Sequence, residues 1–172
     1  MKILIKLLII LLIITGCRQK SSSGSRDLKS DTTIFPAEIT DFTAWKNNPV
    51  FSGTGSDTWD QKIRERGFIL NEDGTYYLWY TGYKGDESVE KHLGLATSTD
   101  GLSWTRYKDN PIFDSGWVED MSVIKHEGTY YMVAEGRGDT AHMMTSTDRI
   151  HWKELGKLDI RKSNGAPIDK GS

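Results

Sequence analysis

Hydrophobic and polar residues alternate in short runs along residues 65–158. No stretch beyond residue 17 has the period of about 3.6 residues that marks an amphipathic helix. Short apolar runs at residues 68–70 and 122–124 are each followed by a polar turn that ends in glycine and then by a run rich in aromatic residues. The pattern therefore predicts an all-β chain of short antiparallel strands.

An internal repeat of about 50 residues organises this pattern. The sequence GTYYL at residues 74–78 recurs as GTYYM at residues 128–132, and TSTD at residues 97–100 recurs at residues 145–148. A repeat of this length with four short strands per unit is typical of a β-propeller blade. The sequence therefore predicts a β-propeller.

Two complete repeat units are predicted, at about residues 65–113 and 119–158. The sequence WKNNPVF at residues 45–51 echoes WTRYKDNPIF at residues 104–113, which predicts the outer strand of a preceding blade. Propellers close with at least about four blades. The folded part, residues 34–172, holds only two to three, so we expect it to be a partial, truncated propeller domain.

The N-terminal residues 1–16 have the features of a secretory signal peptide, because Lys2 and Lys6 flank an apolar run that is too short to span a bilayer as a helix. The sequence ITGC at residues 14–17 resembles the lipobox of bacterial lipoproteins. That resemblance implies cleavage before Cys17 and lipidation of Cys17, which would anchor the protein to a membrane of the bacterial cell envelope, on the periplasmic side or at the cell surface. The alternative is an ordinary signal peptide with an incidental cysteine.

Residues 17–33 are polar and serine-rich, and we interpret them as a flexible tether. The whole chain has 22 Lys and Arg against 24 Asp and Glu, with no basic cluster, so a nucleic-acid partner is not expected. The single cysteine excludes an internal disulfide and a cysteine-based zinc site. Nothing in the sequence indicates the oligomeric state.

The strand and turn phrases at residues 73–83 (DGTYYLWYTGY) and 93–113 (LGLATSTDGLSWTRYKDNPIF) resemble those of the five-bladed β-propeller glycoside hydrolases of families 43 and 32. The resemblance extends over about residues 45–160. It implies a five-bladed propeller type and hydrolysis of plant or algal oligosaccharides or polysaccharides. In these hydrolases, carboxylates at the starts of the innermost strands of the first three blades supply a base, a substrate-orienting acid and a general acid.

In the second unit, the sequence EDMSVI at residues 119–124 resembles the second-blade phrase of these families, with Met121 in place of proline. The resemblance implies that Asp120 orients the substrate and tunes the pKa of the general acid. The alternative is an acidic residue in an exposed loop. The general acid itself is expected beyond residue 172, so residues 17–172 alone are predicted to be inactive.

In the first unit, Arg66 stands at the position expected for the base. Asp60 and Glu65 are the candidate catalytic bases, and a third possibility is that neither serves. Arg66 is then expected to bind substrate, because its guanidinium suits bidentate recognition, or to form a structural ion pair.

Other side chains are candidates for contacting a sugar. Aromatic rings can stack on sugar faces, although packing between blades is the more common role for residues of this size. No metal or cofactor is expected, and the alternative is calcium-associated water near His92 or His142. The further substrate-binding candidates are Trp59, Trp79, Trp117, Glu119, Glu135 and Arg137.

A second function is consistent with the same residues. Arginine at the base position is compatible with a surface lipoprotein that binds carbohydrate on a propeller scaffold without catalysing hydrolysis. A third possibility is a propeller fragment whose aromatic side chains only pack. Fold alone does not decide among these functions.

Overall fold

Two antiparallel sheets account for the strands of the described chain. The structure is a computed structural model, and it describes residues 41–64 and 66–168. The strands of the first sheet are β1 (Lys62–Ile63), β2 (Phe68–Glu72), β3 (Thr75–Tyr83), β4 (His92–Ser98) and β5 (Thr105–Arg106). The strands of the second sheet are β6 (Glu119–His126), β7 (Thr129–Gly136), β8 (Thr140–Ser146) and β9 (Lys153–Lys157).

Each sheet is a meander of four strand positions, as the repeat predicts. The short strand β1 pairs with one end of β3 and β2 pairs with the other end, so together they form one interrupted inner strand. The order then runs β3–β4–β5, and the second sheet runs β6–β7–β8–β9. Within the described residues there is no helix that is long and apolar enough to cross a membrane.

The repeated TSTD sequence builds the same turn in both sheets. Oδ1 of Asp100 accepts the backbone N–H of Ser103 at 2.7 Å, and the indole of Trp104 donates to a carbonyl of the same turn at 3.1 Å. Asp148 and Trp152 repeat this arrangement after β8. The backbone N–H donors lower the pKa of Asp100 to about 2. The turn therefore requires Asp and Trp at this spacing, which is why both residues recur.

The main hydrophobic core lies between the two sheets. Trp79 of β3 is fully buried at its centre, with its ring 6.0 Å from Trp152 and 6.4 Å from Tyr130. Its indole donates to the carbonyl of Arg149 at 3.1 Å. The other buried members of this core are Leu93, Leu95, Val118, Met121, Val123, Met132, Ala134 and Met144.

A half-buried carboxylate joins the sheets at the end of β2. Glu72 accepts hydrogen bonds from Lys125 at 2.7 Å, from the hydroxyl of Tyr130 at 2.6 Å and from Arg149 at 2.9 Å. Burial raises the pKa of Glu72, but these three donors outweigh burial and lower it to about 2. Glu72 is therefore a charged link between the first sheet and the second.

The segment before β1 differs from its prediction. Residues 45–61 form no strand, so the predicted outer strand of a preceding blade at 45–51 is wrong. Phe51 of this segment nevertheless packs against Tyr80 of β3, with ring centres 4.9 Å apart. The predicted signal peptide (1–16), Cys17, the tether (17–33) and Glu65 lie outside the described residues.

Candidate active site

The innermost strand of the second sheet begins with a β-bulge at residues 120 and 121. Glu119 pairs with Glu135 and Ser122 pairs with Val133, so β6 carries one residue more than β7 between these two pairs. Asp120 in the bulge has a φ of 46°, a conformation that Asp tolerates better than most residues. Such a bulge turns a side chain out of the regular alternation of a strand.

The bulge places Asp120 beside Arg66, which lies two residues before the start of β2. Nη1 of Arg66 lies 2.6 Å from Oδ2 of Asp120. The Asp120 side chain is 20% exposed, and its other oxygen, Oδ1, has no hydrogen-bond partner among the described residues. Two of the residues predicted from the sequence are therefore brought together at the starts of neighbouring innermost strands.

A second arginine, Arg64, holds the adjacent carboxylate. Its Nε lies 2.8 Å from Oε1 of Glu119 and its Nη1 lies 2.8 Å from Oε2 of Glu87. The indole of Trp117 donates to the other oxygen of Glu119. Both oxygens of this buried carboxylate are thus held in place, which leaves Asp120 as the carboxylate with a free oxygen.

Sequence reasoning missed Arg64 because it counted equal spacing in both units, which pairs Glu65 with Glu119. The inner strand of the first sheet carries two extra residues between the Ile63–Gly82 and Phe68–Trp79 pairs, whereas the bulge in β6 carries one. Gaps of unequal length shift the correspondence by one residue. When the two repeat units are aligned by their strand pairing instead of by residue counts, Arg64 occupies the position in the first unit that Glu119 occupies in the second.

Glu135, at the end of β7, completes a group of carboxylates with Glu119 and Asp120. Partial burial raises the pKa of Glu135, and the negative charges of Asp120, Glu119 and Asp139 raise it further. A carboxyl group in these surroundings keeps its proton to a higher pH than an exposed glutamate does.

The raised pKa of Glu135 predicts a pH-dependent effect of Glu135→Gln on stability. In the unfolded chain Glu135 ionises at its ordinary pKa, whereas in the folded chain it ionises only at a higher pH, so wild-type stability falls as pH rises between the two values. Gln cannot ionise and avoids this loss. We expect the stability of Glu135→Gln relative to wild type to increase between about pH 4 and pH 7. Urea unfolding at both pH values measures it, and an unchanged difference would contradict the assignment.

Asp60 lies in a separate network on the first sheet. It is buried and accepts hydrogen bonds from Arg106 at 2.7 Å, Thr58 at 3.0 Å and the hydroxyl of Tyr80 at 3.1 Å. Burial, and then the charge of Asp60, raises the pKa of Tyr80. None of these partners belongs to the Asp120 group. The environment of Asp60 is that of a structural carboxylate, and its role as a base stays a prediction.

The three tryptophans proposed to stack on sugars have different surroundings. Trp79 is fully buried in the core, so the packing alternative describes it. Trp117 has Lys91 Nζ and Arg137 Cζ each 4.7 Å from its ring centre, so cations already occupy positions over its ring. Trp59 stacks on Tyr80 with ring centres 5.7 Å apart and stays partly exposed.

The two histidines considered for calcium-associated water have other neighbours. Nδ1 of His142 lies 3.1 Å from Oε1 of Glu154, and His92 lies 6.5 Å from the ring of Trp59. Among residues 41–64 and 66–168, no group of three or more His, Cys, Asp or Glu side chains is placed to hold a metal ion.

The profile of the family described as "Glycosyl hydrolases family 32 N-terminal domain" matches residues 29–168. The chain belongs to this family. This family 32 chain is 30% identical over 134 residues to sucrose-6-phosphate hydrolase of Bacillus subtilis (strain 168), a match that covers 73% of the chain and 28% of that enzyme.

Solved structures share the fold of the family 32 chain. A protein from Bacteroides thetaiotaomicron classed as a glycosidase is 22% identical, with a TM-score of 0.56, over 76% of this chain and 46% of its own. The exo-β-1,3-galactanase of Phanerochaete chrysosporium is 17% identical, with a TM-score of 0.50, over 64% of this chain and 29% of its own. The predicted propeller of the family 43 and 32 type is confirmed, and the family 32 chain spans less than half the length of these relatives.

Proposed function

We propose that this domain binds a fructose-containing sugar of the sucrose or fructan type beside Arg66 and Asp120, and that it belongs to a glycosidase that hydrolyses the sugar. The observation that carries the proposal is Asp120 at the bulge that opens the innermost strand β6, where it is ion-paired to Arg66 and one of its oxygens has no partner in the part of the chain that the structure describes. Membership of family 32 and the similarity to sucrose-6-phosphate hydrolase support the substrate class. The plant or algal origin of the substrate, expected from the sequence, remains part of this proposal.

The chemistry assigns Asp120 the role of orienting the sugar. Its free Oδ1 accepts a hydrogen bond from a sugar hydroxyl, while Arg66 neutralises the carboxylate and donates to a neighbouring sugar oxygen. Glycoside hydrolysis also needs a second carboxylate as nucleophile or base and a general acid. Glu65 and Asp60 remain the candidates for the base, with neither of them as the third possibility, and no described residue is assigned the role of the general acid.

Asp120→Asn tests the assignment through binding. Asn keeps the shape of the side chain but removes the charge that pairs with Arg66, so we expect sucrose or a short fructan to bind at least tenfold more weakly, a loss of about 1.4 kcal/mol. Isothermal titration calorimetry measures it. Glu127→Asn, at an exposed turn residue with positive φ, is the control. Equal affinity of wild type and Asp120→Asn would contradict the proposal.

The second candidate function is carbohydrate binding without hydrolysis. It is favoured by the pairing of Asp120 with Arg66 at the position where a catalytic base is expected. Release of reducing sugar from sucrose, sucrose 6-phosphate and a fructan by the whole protein distinguishes the two functions. Binding that depends on Asp120 without release of reducing sugar would favour the non-catalytic function.

We further propose that Cys17 is lipidated and anchors the protein in a bacterial cell envelope. The short apolar run between residues 7 and 14 behind Lys2 and Lys6, and the sequence ITGC at residues 14–17, support this proposal. Cys17→Ser is expected to move the protein from the membrane fraction of a bacterial host to the soluble fraction. Immunoblots of the two fractions measure this, and an unchanged distribution would contradict lipidation.

A further inference from the structure

Lys91, the residue before β4, is a buried cation close to the start of β6. Its side chain is almost fully buried, and Nζ donates to the carbonyls of Glu87 at 2.7 Å and Val89 at 3.0 Å. Nζ also lies 4.3 Å from the ring centre of Tyr83 and 4.7 Å from that of Trp117. Its partners in the described part of the chain are thus two carbonyls and two aromatic rings, none of which is a carboxylate.

Packing alone does not explain a lysine at this position. Removing an ammonium group from water costs free energy, and neutral partners offset that cost less well than a carboxylate does. A neutral side chain of similar length, such as Met, would fill the same space without this cost. The buried charge therefore points to a role in holding its neighbours, which it binds through hydrogen bonds and cation–π contacts.

The backbone of Lys91 fixes the entry into β6. Its carbonyl accepts the N–H of Val118 at 3.0 Å, and the carbonyl of Val118 accepts the hydroxyl of Thr81 at 2.9 Å. Val118 is fully buried, so both of its backbone polar groups are held by the ends of the first sheet. Asp120 follows two residues later, at the bulge.

The side chain of Lys91 acts on the preceding residue, Trp117. The ammonium group lies over the Trp117 ring, and the indole of that ring donates to Glu119. Lys91 therefore contacts both residues that lead into β6, Trp117 through its side chain and Val118 through its backbone. The loop between β3 and β4 is tied to the same point, because Nζ also holds two of its carbonyls.

We propose that Lys91 is a positioning residue, whose ammonium group holds the Trp117 ring and the loop between β3 and β4 and thereby sets the place of Asp120 for sugar binding. Lys91 itself is too deeply buried to touch the sugar. The inference rests on the proposed function, and it adds a determinant of affinity outside the pair of Asp120 and Arg66.

Lys91→Met in the full chain tests this role, because Met keeps the length of the side chain but removes the charge and both hydrogen bonds. We expect sucrose to bind about fivefold more weakly by calorimetry, and the indole ¹⁵N–¹H resonance of Trp117 to move in the sugar-free protein. Lys125→Met is the matched control. Lys125 also lies over an aromatic ring, 5.1 Å from the centre of Tyr130, and is hydrogen-bonded to Glu72 at the other end of the sheets. This control should be less stable in urea and bind sucrose as wild type does.

The outcomes separate this inference from the proposed function. A lysine with a purely structural role would make Lys91→Met behave like Lys125→Met, less stable but with unchanged affinity, and that result would overturn the inference while the proposed function stands. If wild type itself does not bind sucrose, the proposed function is overturned and this inference with it.

If Lys91→Met does not fold, hydrogen exchange of the wild-type chain decides. The amide of Val118, bonded to the carbonyl of Lys91, should be slowed by saturating sucrose more than the amide of Tyr107, which is bonded to the carbonyl of Leu95 at 2.8 Å. Equal slowing of the two amides, or no slowing of Val118, would overturn the positioning role.

Discussion

Replacing Trp79 with Ala is expected to lower the free energy of unfolding by about 3–5 kcal/mol, the range for removing a large buried aromatic side chain. Trp79 has no exposed surface, packs against Trp152 and Tyr130 and donates to a backbone carbonyl of the opposite sheet. Ala leaves a cavity between the sheets and an unpaired carbonyl at Arg149. Because a domain is stable by only about 5–15 kcal/mol, the variant should lose a large part of its stability.

Urea unfolding followed by far-ultraviolet circular dichroism measures this loss. Trp45→Ala is the matched control, since Trp45 is 46% exposed and its removal should change stability by only about 0.5 kcal/mol. A Trp79→Ala variant as stable as the Trp45→Ala variant would mean that the two sheets do not pack through this side chain.

Glu72→Gln is expected to cost about 2–4 kcal/mol at neutral pH. The Glu72 carboxylate is 13% exposed and joins two cations and a hydroxyl from the second sheet. Gln keeps the size of the side chain but leaves Lys125 and Arg149 without their counter-charge. The two sheets thereby lose their charged link at this end.

The effect of Glu72→Gln should depend on pH with a definite sign. The pKa of Glu72 falls from its ordinary 4.5 to about 2 on folding, so its ionised form stabilises the fold above about pH 4.5, and this contribution is lost as pH falls toward 2. The difference between wild type and Glu72→Gln should therefore shrink over that window. Urea unfolding at pH 7, 5 and 3 tests it, with exposed Glu127→Gln as the control. A difference that grows on acidification would contradict the network.

The architecture could be predicted from the sequence because each repeat of the structure needs the same residues at the same turn. The Asp and Trp of the TSTD turns are needed in each sheet for the same hydrogen bonds, so they recur at the same place. Residues 45–51 were misread for a related reason. Phe51 packs against Tyr80, but the segment around it makes no strand, so the similarity of the letters did not carry over to the backbone.

The candidate site was less predictable because it depends on irregular backbone. Asp120 could be found from its sequence phrase. Arg64 could not, because the inner strand of the first sheet carries two extra residues relative to its partner strand and β6 carries one, whereas residue counting assumes equal numbers. The cation over the ring of Trp117 comes from Lys91, and one of the three hydrogen bonds to Asp60 comes from Arg106. Both partners are distant in the chain, so no local sequence pattern predicts these contacts.

The most direct test of the central claim is to locate sugar binding on this chain. We predict that titrating the ¹⁵N-labelled protein with sucrose shifts the amide resonance of Asp120 and the indole resonance of Trp117. Resonances at the opposite end of the two sheets, around Glu72 and Tyr130, should not move. Shifts confined to that opposite end, or no shift of Asp120 at saturating sucrose, would contradict the assignment of the sugar site to the start of β6.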